Sequence, residues 1–124
     1  MTASKRHALA MAATVLLAAV IAYLTLTPPR PESAPGLLSD KAYHVIAFTA
    51  LVMPSSLLYA RSLIWLIPAA ILFGGAIELL QPHVGRDGDM ADFIADIAGV
   101  VCGAVSGLMV RAGIIKRLGR RADA

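Results

Sequence analysis

Twenty consecutive residues, Ala8 to Thr27, carry no charge. As a helix rising ~1.5 Å per residue they are long enough to cross the ~30 Å hydrocarbon core of a bilayer. No water is available there, so each backbone N–H and C=O needs a partner within the segment, and a helix supplies it. Three further apolar stretches follow. In a chain of 124 residues, 58% hydrophobic and 15% charged, a water-soluble interior could not hide that much apolar surface. The net charge of +3 does not argue for nucleic acid, because the basic residues flank apolar segments. The reading is an all-α membrane protein: one domain over residues 1–124, a four-helix transmembrane bundle with the lipid bilayer as its partner. The single cysteine, Cys102, allows no internal disulfide and has no metal-type cysteine spacing.

The spans are expected at about 8–27, 40–60, 63–80 and 89–110. Lys5 and Arg6 precede the first, and Pro28-Pro29 end it. It reads as retained rather than as a cleaved signal peptide, because the apolar run is long and no clear small-x-small cleavage pattern follows. Residues 28–39 hold four prolines and a glycine and read as a loop, pinned to the membrane by Leu37-Leu38. Ser39 or Asp40 can cap the second helix, which Pro54 should bend. Arg61-Ser62 makes a tight turn. The third span holds Pro68 and ends near Glu78, a loop runs from Gln81 to Gly88, and a basic cytoplasmic tail occupies 111–124. The N-terminus, the Arg61 turn and the tail carry eight basic residues; the other two loops and their helix ends carry Arg30, Lys41 and Arg86. The positive-inside rule then places both termini in the cytoplasm. Tyr23 and Tyr43 fall at the outer interface, Tyr59 and Trp65 at the inner one.

This topology brings separate stretches to one level. Asp40, Lys41 and His44 start the second helix, Glu78 and Gln81 end the third, Arg86 lies in the loop, and Asp89, Asp92 and Asp96 start the fourth. The three aspartates recur at three and four residues, which makes one helical stripe. Gly99, Gly103 and Gly107 continue the stripe and permit close helix packing; Gly74-Gly75 can do the same on the third helix. Seven of the eight acidic residues lie on this half, against Arg30, Lys41 and Arg86, which leaves an excess of four negative charges with histidines neutral. Ionisable groups at membrane depth face the bundle interior or a wet cleft, paired with one another. The excess calls for carboxyl protons, a bound cation or a cationic ligand group. Simpler roles stand beside these. Asp40 and Asp89 serve as helix caps, Lys41 snorkels, His44 is a hydrogen-bonded interior histidine, Glu78 pairs with Arg86 or Lys41, and His83 is solvated. Asp92 and Asp96 lie too deep for capping.

Three functions fit this chemistry. A non-enzymatic envelope protein would bind an amphiphile or lipid-linked head group at the outer leaflet: Lys41 and Arg86 would hold its anionic group, and Glu78, Asp92 and Asp96 its amine or hydroxyl groups. A membrane-embedded enzyme acting on a lipid-linked substrate would use Glu78 or Asp96 as base and His44 as acid, or would hold a divalent cation with His44, Glu78 and Asp92. A proton-coupled small transporter would relay through Asp96 and Glu78, and four short spans then favour a homo-oligomer. The chain has no nucleophile motif, phosphate loop or HExxH-type metal signature, which counts against the enzyme.

The ordered set Asp40-Lys41-Ala42-Tyr43-His44, Phe48, Glu78-Leu79-Leu80-Gln81, Arg86, Asp89, Asp92 and Gly99 resembles the VanZ-like integral membrane proteins. Their pattern is roughly D-K-x-x-H-x-x-x-F, then E-x-x-Q, a loop with arginine, and D-x-x-x-N-x-x-G. The likeness runs from about residue 40 to 107. Asp96 stands where that family commonly has asparagine, which adds an ionisable group in the membrane, and Pro82 comes early in its loop. The resemblance implies a small multi-pass protein of the bacterial inner membrane. The family takes its name from a teicoplanin-resistance determinant, so an influence on envelope properties or glycopeptide susceptibility is the expectation it carries.

Overall fold

The computed structural model describes residues 1–28 and 37–122. The proline-rich part of the first loop (29–36), with Arg30 and Glu32, lies outside the described residues, as does Asp123. Four helices account for most of the rest: α1 (Ala3–Leu26), α2 (Asp40–Leu58), α3 (Leu63–Leu80) and α4 (Met90–Ala122). There is no strand among the described residues. Each helix, with its flanking turns, is long and apolar enough to cross a membrane.

The helix ends follow from local chemistry. Thr2 caps α1 by accepting the Lys5 backbone N–H, which starts the helix five residues before the apolar run. It stops at Leu26 because Thr27 precedes Pro28, and a residue before proline avoids the helical region. Ser39, rather than Asp40, caps α2, its side chain accepting the Ala42 N–H at 3.3 Å. Asp40 opens the first turn, where a carboxylate complements the helix dipole. α2 ends at Leu58, two residues short of the expected limit, and a 3-10 turn at Ala60–Ser62 reverses the chain. α3 has the expected bounds. A 3-10 turn over Gln81–Val84 follows it, and Gly85 takes the left-handed conformation (φ 76°) that glycine adopts without strain.

α4 is longer than the apolar span it contains. It continues twelve residues past Val110, so the basic tail is its last three turns. Arg, Ala, Ile, Lys and Leu are good or adequate helix formers, no proline intervenes, and the cost of Gly113 and Gly119 is too small to end the helix. Thirty-three residues make a rod of about 50 Å, well beyond a ~30 Å hydrocarbon core.

α2 is the hub, packed most extensively on α4 and then on α1, while α3 closes against α4 and α2. Phe48, Leu51, Val52, Ile77, Val100 and Ala104 form the apolar core. Polar residues are also inside. Ser55 and Ser56 are fully buried, and Thr14 on α1 donates to the Leu51 carbonyl on α2 at 3.3 Å. Large apolar side chains point outward on α1, α3 and α4, among them Leu16 (66% exposed), Leu72 (75%) and Val105 (52%). An apolar exterior around a partly polar interior is the arrangement that a hydrocarbon solvent stabilises.

Candidate functional site

The end of the bundle where α1 and α3 finish and α2 and α4 begin gathers the residues singled out above. The α4 glycine stripe makes this possible. A Cβ built on Gly99 would lie 2.6 Å from the Val45 carbonyl oxygen, and one on Gly103 2.5 Å from that of Thr49. A Cβ on Gly107 would run into Ser56. The two backbones are therefore in direct contact, and the Thr49 hydroxyl donates to the Gly99 carbonyl at 3.1 Å. Asp89, Asp92 and Asp96, on the same stripe one to three turns earlier, are carried against the first turns of α2.

Two polar layers result. In the outer layer Lys41 Nζ bonds Asp89 Oδ2 and Asp92 Oδ1, both at 3.1 Å. Asp89 is half exposed, whereas the Asp92 side chain is only 5% exposed. Asp89 also caps α4: its Oδ1 accepts the Ala91 N–H at 2.9 Å. That backbone N–H and the Lys41 ammonium both favour the charged form of the Asp89 carboxyl. In the inner layer His44 Nδ1 and Asp96 Oδ1 share a buried hydrogen bond of 2.7 Å. Glu78 Oε2 accepts the Asp89 backbone N–H at 2.8 Å, which ties the end of α3 to the start of α4. Gly88 lies so close to Glu78 that a Cβ there would strike its carbonyl.

The expected pairing of Glu78 with Arg86 or Lys41 is replaced by this backbone bond. Lys41 is occupied by two aspartates, and Arg86 Nε donates to the Thr27 carbonyl at the end of α1 (2.9 Å). Among the described residues Arg86 has no carboxylate partner. Gln81, directly after α3, is buried (3% exposed). Sequence reasoning did not find the Thr27 carbonyl, nor the contribution of α1 to the site. Neither has a local signal, because both depend on how α1 is placed.

Beside the polar layers a cleft of about 340 Å³ opens between α1 and α2. Ile21, Leu24, Ile46 and Phe48 make it apolar along its length; Asp40, His44 and Arg86 line its polar end. His44 thus lines the cleft and bonds Asp96 through Nδ1. Two sets of ligand atoms share this histidine: Asp40, His44 and Asp92, and His44, Glu78 and Asp96, each set lying within 4.8 Å of one another. Both could hold a metal ion.

The opposite end of the bundle is basic. Arg6, Arg61 and Arg111 surround a smaller cleft of about 210 Å³. Arg111 donates to the Leu57 carbonyl at 2.9 Å, which satisfies one of the free carbonyls closing α2. His7 stacks on Tyr59 with ring centroids 4.6 Å apart.

Fold and site together define an all-helical protein suited to crossing a membrane four times, with an acidic, histidine-containing pocket at one end and an arginine-rich surface at the other. Comparison with protein-family models, with curated proteins and with solved structures found no match to this chain.

Proposed function

We propose that the chain is a VanZ-like protein of the bacterial inner membrane that binds an amphiphile or lipid-linked head group at the outer leaflet. Both termini would face the cytoplasm, since the arginine-rich end is the one that the positive-inside rule keeps there. The observation carrying this reading is the cleft. Its apolar length, lined by Ile21, Leu24 and Ile46, meets a polar end with Asp40, His44 and Arg86. That combination suits a ligand with a hydrocarbon part and a polar head. Arg86 is the cation that would meet an anionic head group, because Lys41 is held by Asp89 and Asp92. Binding there would alter envelope composition and, with it, glycopeptide susceptibility, as the family resemblance implies.

The test is photo-crosslinking in nanodiscs with an anionic amphiphile that carries a diazirine on its chain. Crosslinks are expected on Leu24, Tyr43 and Ile46. They should fall at least fivefold in Ala47→Trp, which fills the cleft, and in Arg86→Gln. Labelling spread evenly over the outer surface, or unchanged by Ala47→Trp, would sink the proposal. Turnover of a lipid-linked substrate, lost in His44→Gln, would favour the enzyme instead.

A further inference from the structure

The inner polar layer has acceptors without donors. Asp96 is 0% exposed and Gln81 3% exposed. Asp96 Oδ2, Glu78 Oε1 and Gln81 Oε1 are all buried without a hydrogen-bond partner. We propose that His44, Glu78 and Asp96, with the Gln81 amide oxygen, form a binding site for one divalent transition-metal cation of the Mn²⁺ or Zn²⁺ type.

Placement supports this. His44, Glu78 and Asp96 each offer a ligand atom within 4.8 Å of the others. The 2.7 Å between His44 Nδ1 and Asp96 Oδ1 is close to the separation of adjacent ligands on a six-coordinate ion, about 3 Å for ~2.1 Å bonds. Asp96 Oδ2 is aimed at α3: a Cβ on Gly74 would lie 2.7 Å from it. Gly74, Glu78 and Gln81 follow one another at four and three residues, on one face. Glycine at position 74 therefore lets the carboxylate reach the face that carries the other two acceptors.

Charge supports it as well. Lys41 is bonded to Asp89 and Asp92, and Arg86 to the Thr27 carbonyl. Among the described residues neither cation reaches Glu78 or Asp96. Buried carboxylates are tolerated when paired or when they coordinate metal. Imidazole favours Zn²⁺ and its neighbours, while carboxylate and amide oxygens favour Mn²⁺ and harder ions, so the mixed set selects the borderline class over Ca²⁺. The second triad, Asp40, His44 and Asp92, shares His44, but its Asp92 is already paired with Lys41. The inference does not depend on the amphiphile reading.

The experiment is equilibrium dialysis of chelator-treated, detergent-purified protein against Mn²⁺, Zn²⁺ and Ca²⁺ separately, read by elemental analysis. Wild type is expected to hold about one Mn²⁺ or Zn²⁺ per chain and at least tenfold less Ca²⁺. Glu78→Gln and Asp96→Asn should each weaken binding at least tenfold, with Asp87→Asn, outside the cluster, as the unchanged control. Pulsed EPR of the Mn²⁺-loaded wild type should show nitrogen coupling from His44, a readout that needs no variant to fold. Retention below 0.1 ion per chain, wild-type binding in both variants, or Mn²⁺ without nitrogen coupling would overturn the site. The first of these would leave carboxyl protons as what satisfies the orphaned oxygens.

Discussion

Lys41 holds two carboxylates that differ in their access to water. Asp89 is about half exposed and has a backbone N–H as a second partner, while the Asp92 side chain is 5% exposed and has Lys41 as its ion-pair partner. An exposed ion pair contributes little, but a buried charge left without its partner is strongly destabilising. Lys41→Met is therefore expected to lower the thermal midpoint of the purified protein at least twice as much as Asp89→Asn. Equal shifts would mean that the Asp92 arm contributes nothing. The residue types at this site were legible from sequence, because ionisable groups at membrane depth stand out against apolar neighbours. Their pairing was not. Glu78 takes a backbone N–H and Arg86 a backbone carbonyl, and backbone partners leave no trace in the pattern of side chains.

Between elements, the α2–α4 seam sets the depth of the site. Gly99 and Gly103 sit within hard contact of α2 carbonyls, whereas Gly113 has nothing within 4 Å of a built Cβ. Gly99→Ala should destabilise the bundle by about 1–3 kcal/mol, the usual cost of overpacking. Gly113→Ala should be neutral or stabilise by up to about 1 kcal/mol through helix propensity. Reversible unfolding in mixed micelles measures both. A harmless Gly99→Ala would mean that the helices do not approach as closely as described. The glycine stripe was visible in the sequence at spacings of four, and its role in close packing was read from them. The partner helix was not, since small residues on α3 (Gly74, Gly75) offered a rival surface. At the far end of α4 the sequence marks where the apolar span stops, near Val110, and the structure carries the helix itself on to Ala122. Charge ends a hydrocarbon span, but in water a helix continues as long as its residues favour it.

Across the whole molecule, charge is divided between the ends: carboxylates and His44 at one, Arg6, Arg61 and Arg111 at the other. The proposed orientation predicts cysteine labelling in a Cys102→Ala background. Asp87→Cys should react with a membrane-impermeant maleimide in spheroplasts, and Arg61→Cys only after permeabilisation. The reverse pattern would turn the pocket to the cytoplasm and remove the outer-leaflet ligand from consideration.

The sequence by itself determined the number of helices, the approximate limits of the apolar spans and the end at which the acidic residues meet. Hydrocarbon leaves the backbone few alternatives, and short loops force neighbouring helices to run antiparallel. Only the tertiary structure decided that α2 is the hub, that α1 and α2 frame an apolar cleft, and that Asp96 faces both His44 and α3. Those outcomes depend on the rotation and offset of each helix against its neighbours. Close packing over many residues fixes both, and no single segment carries that information.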